Sequence, residues 1–276
     1  MQIVQTINEL KNIITLNKEK TIGFVPTMGY LHEGHLALLN KARIDNDIVV
    51  ASIFVNPAQF GPNEDLDRYP RDIERDTQLA TDAGVDILFL PGASEMYPFE
   101  SGITINVGVL STKLCGESRP GHFDGVLKVI TKLFNLVQAT NAYFGQKDAQ
   151  QLAIIETFVN AYNFPVQIVR IPTVREPDGL AKSSRNVFLS AQERDEAVQL
   201  YQALQLAKIT WEKTNDLTLA IAKGKEHIES NTSGKVDYLE ALSYPDLQNV
   251  TDETKEILFA TAVFFEKARL IDNILT

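Results

Sequence analysis

TIGFVPTMGYLHEGHLALLNKARIDNDIVVASIFV (21–55) decides the fold. It opens with a short apolar run, TIGFV (21–25), ended by Pro26. A turn with two glycines follows, PTMGYLHEGH (26–35). In GHLALLNKARIDND (34–47), Leu36, Leu39 and Arg43 fall on one side with Leu38 and Ala42 beside them, the period of a helix. IVVASIFV (48–55) is β-branched and nearly all apolar, as a strand covered on both faces should be. Strand, turn, helix and buried strand in this order predict parallel strands joined by right-handed crossovers.

The alternation continues outward. A helix is expected around 72–83, a strand at DILFL (86–90), a helix within 124–139, a strand at AYF (142–144), a helix over 148–162 and a strand at VQIVRI (166–171). The expected fold is therefore α/β, a doubly wound, parallel, Rossmann-like sheet over 1–173. After about 172 the pattern changes. PTVREPDGLAKSSRN is rich in turn formers and charge, and helix-like stretches follow within 191–211 and 216–230. VDYLEAL (236–242), ILFATAVFF (257–265) and ARLID (268–272) read as strands. Grouped helices and strands predict a smaller α+β domain over 174–276.

The remaining composition narrows the function. The first 20 residues read as an amphipathic helix rather than a signal peptide. No run of 18 apolar residues exists, so no membrane span is expected. A single cysteine, Cys115, excludes an intrachain disulfide and agrees with a cytoplasmic location. A net charge of −10 disfavours broad nucleic-acid binding, because the surface repels a polyanion. A phosphorylated ligand would need its positive groups concentrated locally.

Five segments offer candidate ligand-binding groups. PTMGYLHEGH lies where a strand runs into a helix, at the carboxyl end of the sheet where ligands bind in open α/β folds. The helix start offers N–H groups and partial positive charge to a phosphate, and His32 and His35 add imidazole donors. The H-x-x-H pair also suits a metal, but no third ligand is evident. SIFVNPAQFGPNEDLDRYPRD (52–72) places Asn56 and Gln59 in another loop at that end, and LCGESRPGHFDGV (114–126) carries Arg119 and His122. YFGQKDAQQL (143–152) puts Lys147 at a helix start as a point charge for phosphate, Asp148 as its N-cap and Gln151 one turn in. In PTVREPDGLAKSSRNVFLS (172–190), Ser183, Ser184 and Arg185 have the composition of an anion clamp. A charged linker with Ser184 or Ser190 capping the next helix is the plainer alternative.

In order, these strings resemble the pantothenate synthetase family of the H-x-G-H nucleotidyltransferases, a superfamily that includes class I aminoacyl-tRNA synthetases. The matching patterns are P-T-M-G-x-L-H-x-G-H, F-V-N-P-x-Q-F-G-x-x-E-D-x-x-x-Y-P-R, R-P-G-H-F-x-G-V, F-G-x-K-D-x-Q-Q and P-T-V-R-E-x-D-G-L-A-x-S-S-R-N. The resemblance implies ATP-dependent joining of pantoate to β-alanine through pantoyl adenylate, with Mg²⁺, in a homodimer. It assigns catalysis to His32, His35, Lys147, Ser183, Ser184 and Arg185. ATP would also meet Pro26, Thr27, Met28, Gly29, Tyr30, Leu31, Glu33 and Gly34 of the first turn. Further ATP contacts would come from Gly145, Gln146 and Asp148, and then from Val174 and Lys182. Gln59 and Gln151 would hold pantoate, and Gln59 also β-alanine. Asp76 is a candidate carboxylate for Mg²⁺. The last string is similar to the superfamily's K-M-S-K-S element, with Lys182 at its first lysine, where many members of the closer family carry an apolar residue. The C-terminal residues would form a lid, and Arg119 would lie in a loop beside the site.

Three rivals remain at this level. One is a nucleotidyltransferase of the same fold acting on a phosphorylated acceptor; the neutral donors Gln59 and Gln151 fit a small hydroxy acid better. Another is a non-catalytic ATP-sensing module, which would not need His32, His35, Lys147 and Arg185 together. An RNA-binding synthetase relative is opposed by the acidic charge and the lack of a basic extension.

Overall fold

Thr6 divides the N-terminal stretch in two. Its hydroxyl accepts the Glu9 N–H at 3.2 Å, and the Glu9 carboxylate accepts the Thr6 N–H at 3.1 Å. This reciprocal cap starts α1, Ile7–Leu16. The residues before the cap, Gln2–Val4, are extended and form a sheet strand, β1, so the amphipathic helix is shorter than the sequence pattern suggests. The computed structural model describes residues 1–62, 64 and 66–276. Asn63 and Asp65, in the GPNED run quoted above, lie outside the described residues.

The chain divides into two compact units. The first comprises Met1–Gly108, Arg119–Gln146 and Ile155–Pro172; the second comprises Val109–Ser118, Lys147–Ile154 and Thr173–Thr276.

The first unit is built on β1, β2 (Ile22–Thr27), β3 (Ile48–Ile53), β4 (Ile87–Phe89), β5 (Asn141–Gly145) and β6 (Gln167–Ile171). Their order is β1-β4-β3-β2-β5-β6, and every pair is parallel. The strands are short apolar runs, and Phe24, Val25, Val49, Val50 and Leu88 are fully buried, as expected of a sheet covered on both faces. The helices are α2 (Glu33–Asp45), α3 (Ile73–Asp82), the single turn α4 (Ala93–Met96) and, after the second unit's short α5 (Cys115–Ser118), α6 (His122–Val137). α7 (Ala149–Tyr162) begins in the second unit and ends in the first.

From β2 the chain steps outward through β3 to β4, then returns to lay β5 and β6 on the other side of β2. The topological switch point therefore lies between β2 and β5, and its carboxyl end is where the Gly29 and His32 turn begins. Pro26 does not end β2. The ladder with β3 continues to Thr27, whereas pairing with β5 stops at Phe24. A residue without an N–H is tolerated there because one edge of the strand is already unpaired.

In the second unit, β7 (Lys235–Ser243), β8 (Ile257–Phe264) and β9 (Arg269–Leu275) form an antiparallel sheet in sequence order. The helix-like stretch at 191–211 is two helices, α8 (Ala191–Glu196) and α9 (Gln199–Thr214), followed by α10 (Leu217–Asn231). Leu200, Ala203, Leu204 and Ile228 from the helices bury against Leu239, Phe259 and Val263 from the strands. Among the described residues no helix is long and apolar enough to cross a membrane.

Candidate active site

The turn after β2 is held from below. Thr27 Oγ1 donates to the Ser52 carbonyl at 2.8 Å and accepts the Gly29 N–H at 3.2 Å. Gly29 has φ +84°, and a Cβ there would lie 2.8 Å from Ile53 Cγ2 and 3.0 Å from Asp76 Oδ2, so only glycine fits. Asp76, on α3, is fully buried. Its two carboxylate oxygens accept the Tyr30 and Leu31 N–H groups, each at 2.7 Å. Asp76 therefore clamps the turn from beneath. Among the described residues no group of three or more His, Cys, Asp or Glu is placed to hold a metal ion. The Leu31 side chain is core, 1% exposed.

Asp76→Asn tests the clamp. The amide offers one acceptor oxygen and turns an N–H toward a backbone N–H. We expect a loss of about 1–3 kcal/mol, a Tm fall of roughly 2–12 °C, and slower adenylation. Unchanged turnover, with the stability lost, would separate the clamp from function.

The clamp delivers His32 to the start of α2. His32 Nδ1 accepts the Gly34 N–H at 3.1 Å, and His35 Nδ1 accepts the His32 N–H at 3.2 Å. The rings lie 4.1 Å apart, centroid to centroid. A ring nitrogen that accepts carries no proton, so both imidazoles are neutral with the N–H on Nε2. The helix start thus sets the tautomer of both histidines.

Gln59 closes a short turn, Pro57–Gln59, capped by Asn56. Its Oε1 accepts from Asn56 Nδ2 at 3.0 Å, and its Nε2 donates to Met28 Sδ at 3.1 Å. The carboxamide is therefore tied to the His32 turn through Met28. Asn56 is itself fixed: its Nδ2 also donates to the Gly125 carbonyl at 3.1 Å, and its Oδ1 accepts from Tyr97 Oη at 2.9 Å. Burial pushes the Tyr97 phenol up to about 12, so it stays a donor near neutral pH. Gly125, on α6, allows this approach, because a Cβ would lie 2.0 Å from the Ala58 carbonyl oxygen. Glu64 and Arg119 form a two-point ion pair, with Nε to Oε1 at 2.8 Å and Nη2 to Oε2 at 2.5 Å. Burial acts to raise the Glu64 carboxyl, but the Arg119 bonds and charge outweigh it and hold it below its usual value.

The second unit resumes at Lys147, within the tight turn of residues 146–148 that runs directly into α7. Lys147 is half-buried, with Nζ 3.9 Å from Asp148 Oδ1, and its carbonyl accepts from Asn273 Nδ2 at 2.8 Å. Residues 174–182 fold back on themselves: Lys182 N–H bonds the Val174 carbonyl at 2.9 Å and Glu176 N–H the Leu180 carbonyl at 2.8 Å. Lys182 Nζ meets Glu176 Oε1 at 2.7 Å, so its side chain braces this hairpin. Arg175 grips Asp272 through two bonds of 2.6 and 2.9 Å and stacks on Tyr201 at 3.6 Å. Ser183, rather than Ser184, caps the turn Ser184–Phe188, accepting the Arg185 N–H at 3.3 Å, while Ser190 caps α8. Ser184 is buried.

The Lys147 carbonyl and Arg175, at the start of the hairpin that leads to Ser183–Arg185, are thus fastened to the neighbouring β9 residues Asn273 and Asp272, which carry no motif. Gln150 lies within a quoted string but is given no role there: its amide bonds the Leu110 and Lys113 carbonyls, both at 2.8 Å, and holds that segment to α7. Tyr97 carries no motif, and Gly125 sits in a quoted string that gives no hint of its packing role, because the partners of both are distant in sequence.

A parallel sheet whose switch point carries a H-x-G-H turn at a helix start defines a nucleotide-handling α/β protein. The family model described as Pantoate-beta-alanine ligase matches residues 2–275. A pantothenate synthetase from Lysinibacillus sphaericus is 57% identical over 275 residues, covering 99% of this chain and 97% of the relative. The crystal structure of pantothenate synthetase from Thermus thermophilus superposes with a TM-score of 0.94 at 46% identity, covering 99% of both chains. That of the Francisella tularensis pantoate-beta-alanine ligase, complexed with beta-gamma ATP and beta-alanine, gives 0.82 at 35% identity, covering 100% of this chain and 97% of that one. The chain belongs to the pantoate–β-alanine ligase family.

Proposed function

We propose that this protein joins pantoate to β-alanine at the expense of ATP, by way of pantoyl adenylate, releasing pyrophosphate and AMP. The reading rests on the whole-chain family match and on one observation above all: two imidazoles at a helix start whose Nδ1 atoms both accept backbone N–H groups, which leaves the ring N–H on Nε2. A carboxylate is a poor acyl donor. Attack by a pantoate carboxylate oxygen on the α-phosphorus forms the mixed anhydride and breaks the bond to pyrophosphate. Charge develops on the α-phosphate oxygens, and the Nε2–H donors of His32 and His35 strengthen as it does. The reading assigns Lys147, Ser183, Ser184 and Arg185 to the rest of the triphosphate. The β-alanine amine then attacks the acyl carbon and AMP leaves. This half needs orientation and exclusion of water more than new charge.

Mg²⁺, when bound with ATP, would supply charge neutralisation on the triphosphate. An ion held mainly by phosphate oxygens and water needs few protein ligands. The neutral, buried carboxamide of Gln59 suits the hydroxyl and carboxylate of a small hydroxy acid; the reading assigns Gln151 to the same substrate, and Gln59 to β-alanine as well. A cytoplasmic homodimer belongs to the same reading.

The test is pantoate-dependent ATP–pyrophosphate exchange with Mg²⁺ and no β-alanine. Exchange that requires pantoate supports the acyl-adenylate step, and added β-alanine should then release AMP. Gln59→Ala should raise the pantoate KM by about tenfold or more, with slower chemistry alongside. Exchange in the parent without pantoate, or unchanged pantoate kinetics in the variant, would remove the assignment.

A further inference from the structure

We propose that His122 is a positioning residue for the acid-binding pocket, locked as its Nδ1–H tautomer and holding the Gln59 peptide in place. The pocket's identity rests on the pantoate reading of Gln59; the tautomer and the grip on the peptide do not.

The assignment follows from which partners are able to donate. Glu64 takes the Nε and Nη2 side of the Arg119 guanidinium, which turns Nη1 toward His122 Nε2 at 3.0 Å. A guanidinium has no acceptor, so Nε2 must accept and carries no proton. On the other side of the ring, Nδ1 lies 2.8 Å from the Gln59 carbonyl oxygen. A carbonyl only accepts, so Nδ1 carries the proton. Phe123 packs edge-on against the ring, with centroids 4.8 Å apart. His122 is therefore neutral, with its N–H on the opposite nitrogen from His32 and His35. His227 completes the four histidines, and its Nε2 faces Gln199 Oε1, an acceptor, at 2.8 Å.

This places a rigid donor on the peptide that carries the Gln59 carboxamide. The Gln59 turn otherwise closes through weak geometry, with Gln59 N–H to Asn56 O at 3.4 Å and Phe60 N–H to Pro57 O at 3.3 Å. A side chain aimed at a ligand is only as well placed as the peptide beneath it. His122 supplies the missing constraint, and Arg119 keeps its proton on the useful nitrogen.

Three measurements on the full chain decide this. Nitrogen-15 NMR of the imidazoles should find one Nδ1–H histidine, assigned to His122 by its loss in His122→Phe. His122→Phe should raise the pantoate KM about tenfold, the scale of one lost hydrogen bond, with the ATP KM within about twofold. His122→Asn, whose amide N–H stands close to the Nδ1 position, should recover most of that loss. Amide exchange at Phe60 should be faster in His122→Phe and near the parent rate in His122→Asn. An Nε2–H tautomer at His122, or unchanged Phe60 exchange in His122→Phe, overturns the proposal. If pantoate supports no exchange in the parent, the pantoate reading fails, while the tautomer and Phe60 protection still decide the role of His122.

Discussion

His35→Ala should lower pantoate-dependent ATP–pyrophosphate exchange by about 10²–10³-fold, the usual effect of removing one donor aimed at developing charge. The expectation comes from what the ring does at the helix start. Nδ1 is occupied as an acceptor of the His32 N–H, so the N–H offered elsewhere is on Nε2. Alanine removes that donor and also frees the His32 N–H, which is near enough to the surface for water to replace the partner. The fold should therefore survive with little change in Tm. ATP affinity should change far less than turnover, because the donor gains its strength only as charge builds in the transition state. His35→Gln, whose amide N–H reaches toward the Nε2 position, should recover part of the rate. A loss below about fivefold, in a folded sample that binds ATP, would take His35 out of the chemistry.

The sequence makes this histidine legible because its surroundings are local. The apolar run of β2, the glycine turn and the period of α2 all sit within one continuous stretch, and each signal points to the same arrangement. Pro26 is misleading for the opposite reason. Its place within β2 depends on β5 having already left the ladder, which no local pattern encodes. β1 is equally hidden: three residues, two of them exposed, give no alternation to detect. The same division runs through the site. His32, His35 and the Ser183–Arg185 loop stand out as strings, whereas the groups that hold them do not. Asp76 has no signal in the sequence for its buried bonds to the Tyr30 and Leu31 N–H groups. Asp272 and Asn273 read as ordinary strand residues, yet they hold Arg175 and the Lys147 carbonyl. Motifs mark groups that would meet a ligand; the groups that aim them are chosen by packing, which a sequence pattern records only weakly.

Gly125→Ala carries that distinction to its sharpest test. In an exposed helix the change would be stabilising by about 0.8–1 kcal/mol, since glycine is the poorer helix former. Here the added Cβ would stand 2.0 Å from the Ala58 oxygen, 2.4 Å from its carbonyl carbon and 2.7 Å from Gln59 Cα. All three are backbone atoms, so no rotamer change relieves the clash. Overpacking of this kind costs about 1–3 kcal/mol, which outweighs the helix gain. The cheapest relief is to push the Pro57–Gln59 turn away from α6. That movement stretches the Asn56 bond to the Gly125 carbonyl and the His122 bond to the Gln59 carbonyl. Misplacing a substrate-holding group by about 1 Å is enough for a 10²-fold loss, and we expect pantoate-dependent exchange to fall by at least that factor. ATP binding measured by calorimetry should change little, because the Asp76 clamp and the His32 cap do not involve Gly125. If Gly125→Ala instead gains stability and keeps its pantoate kinetics, α6 does not brace the Gln59 turn, and the acid pocket must be sought elsewhere.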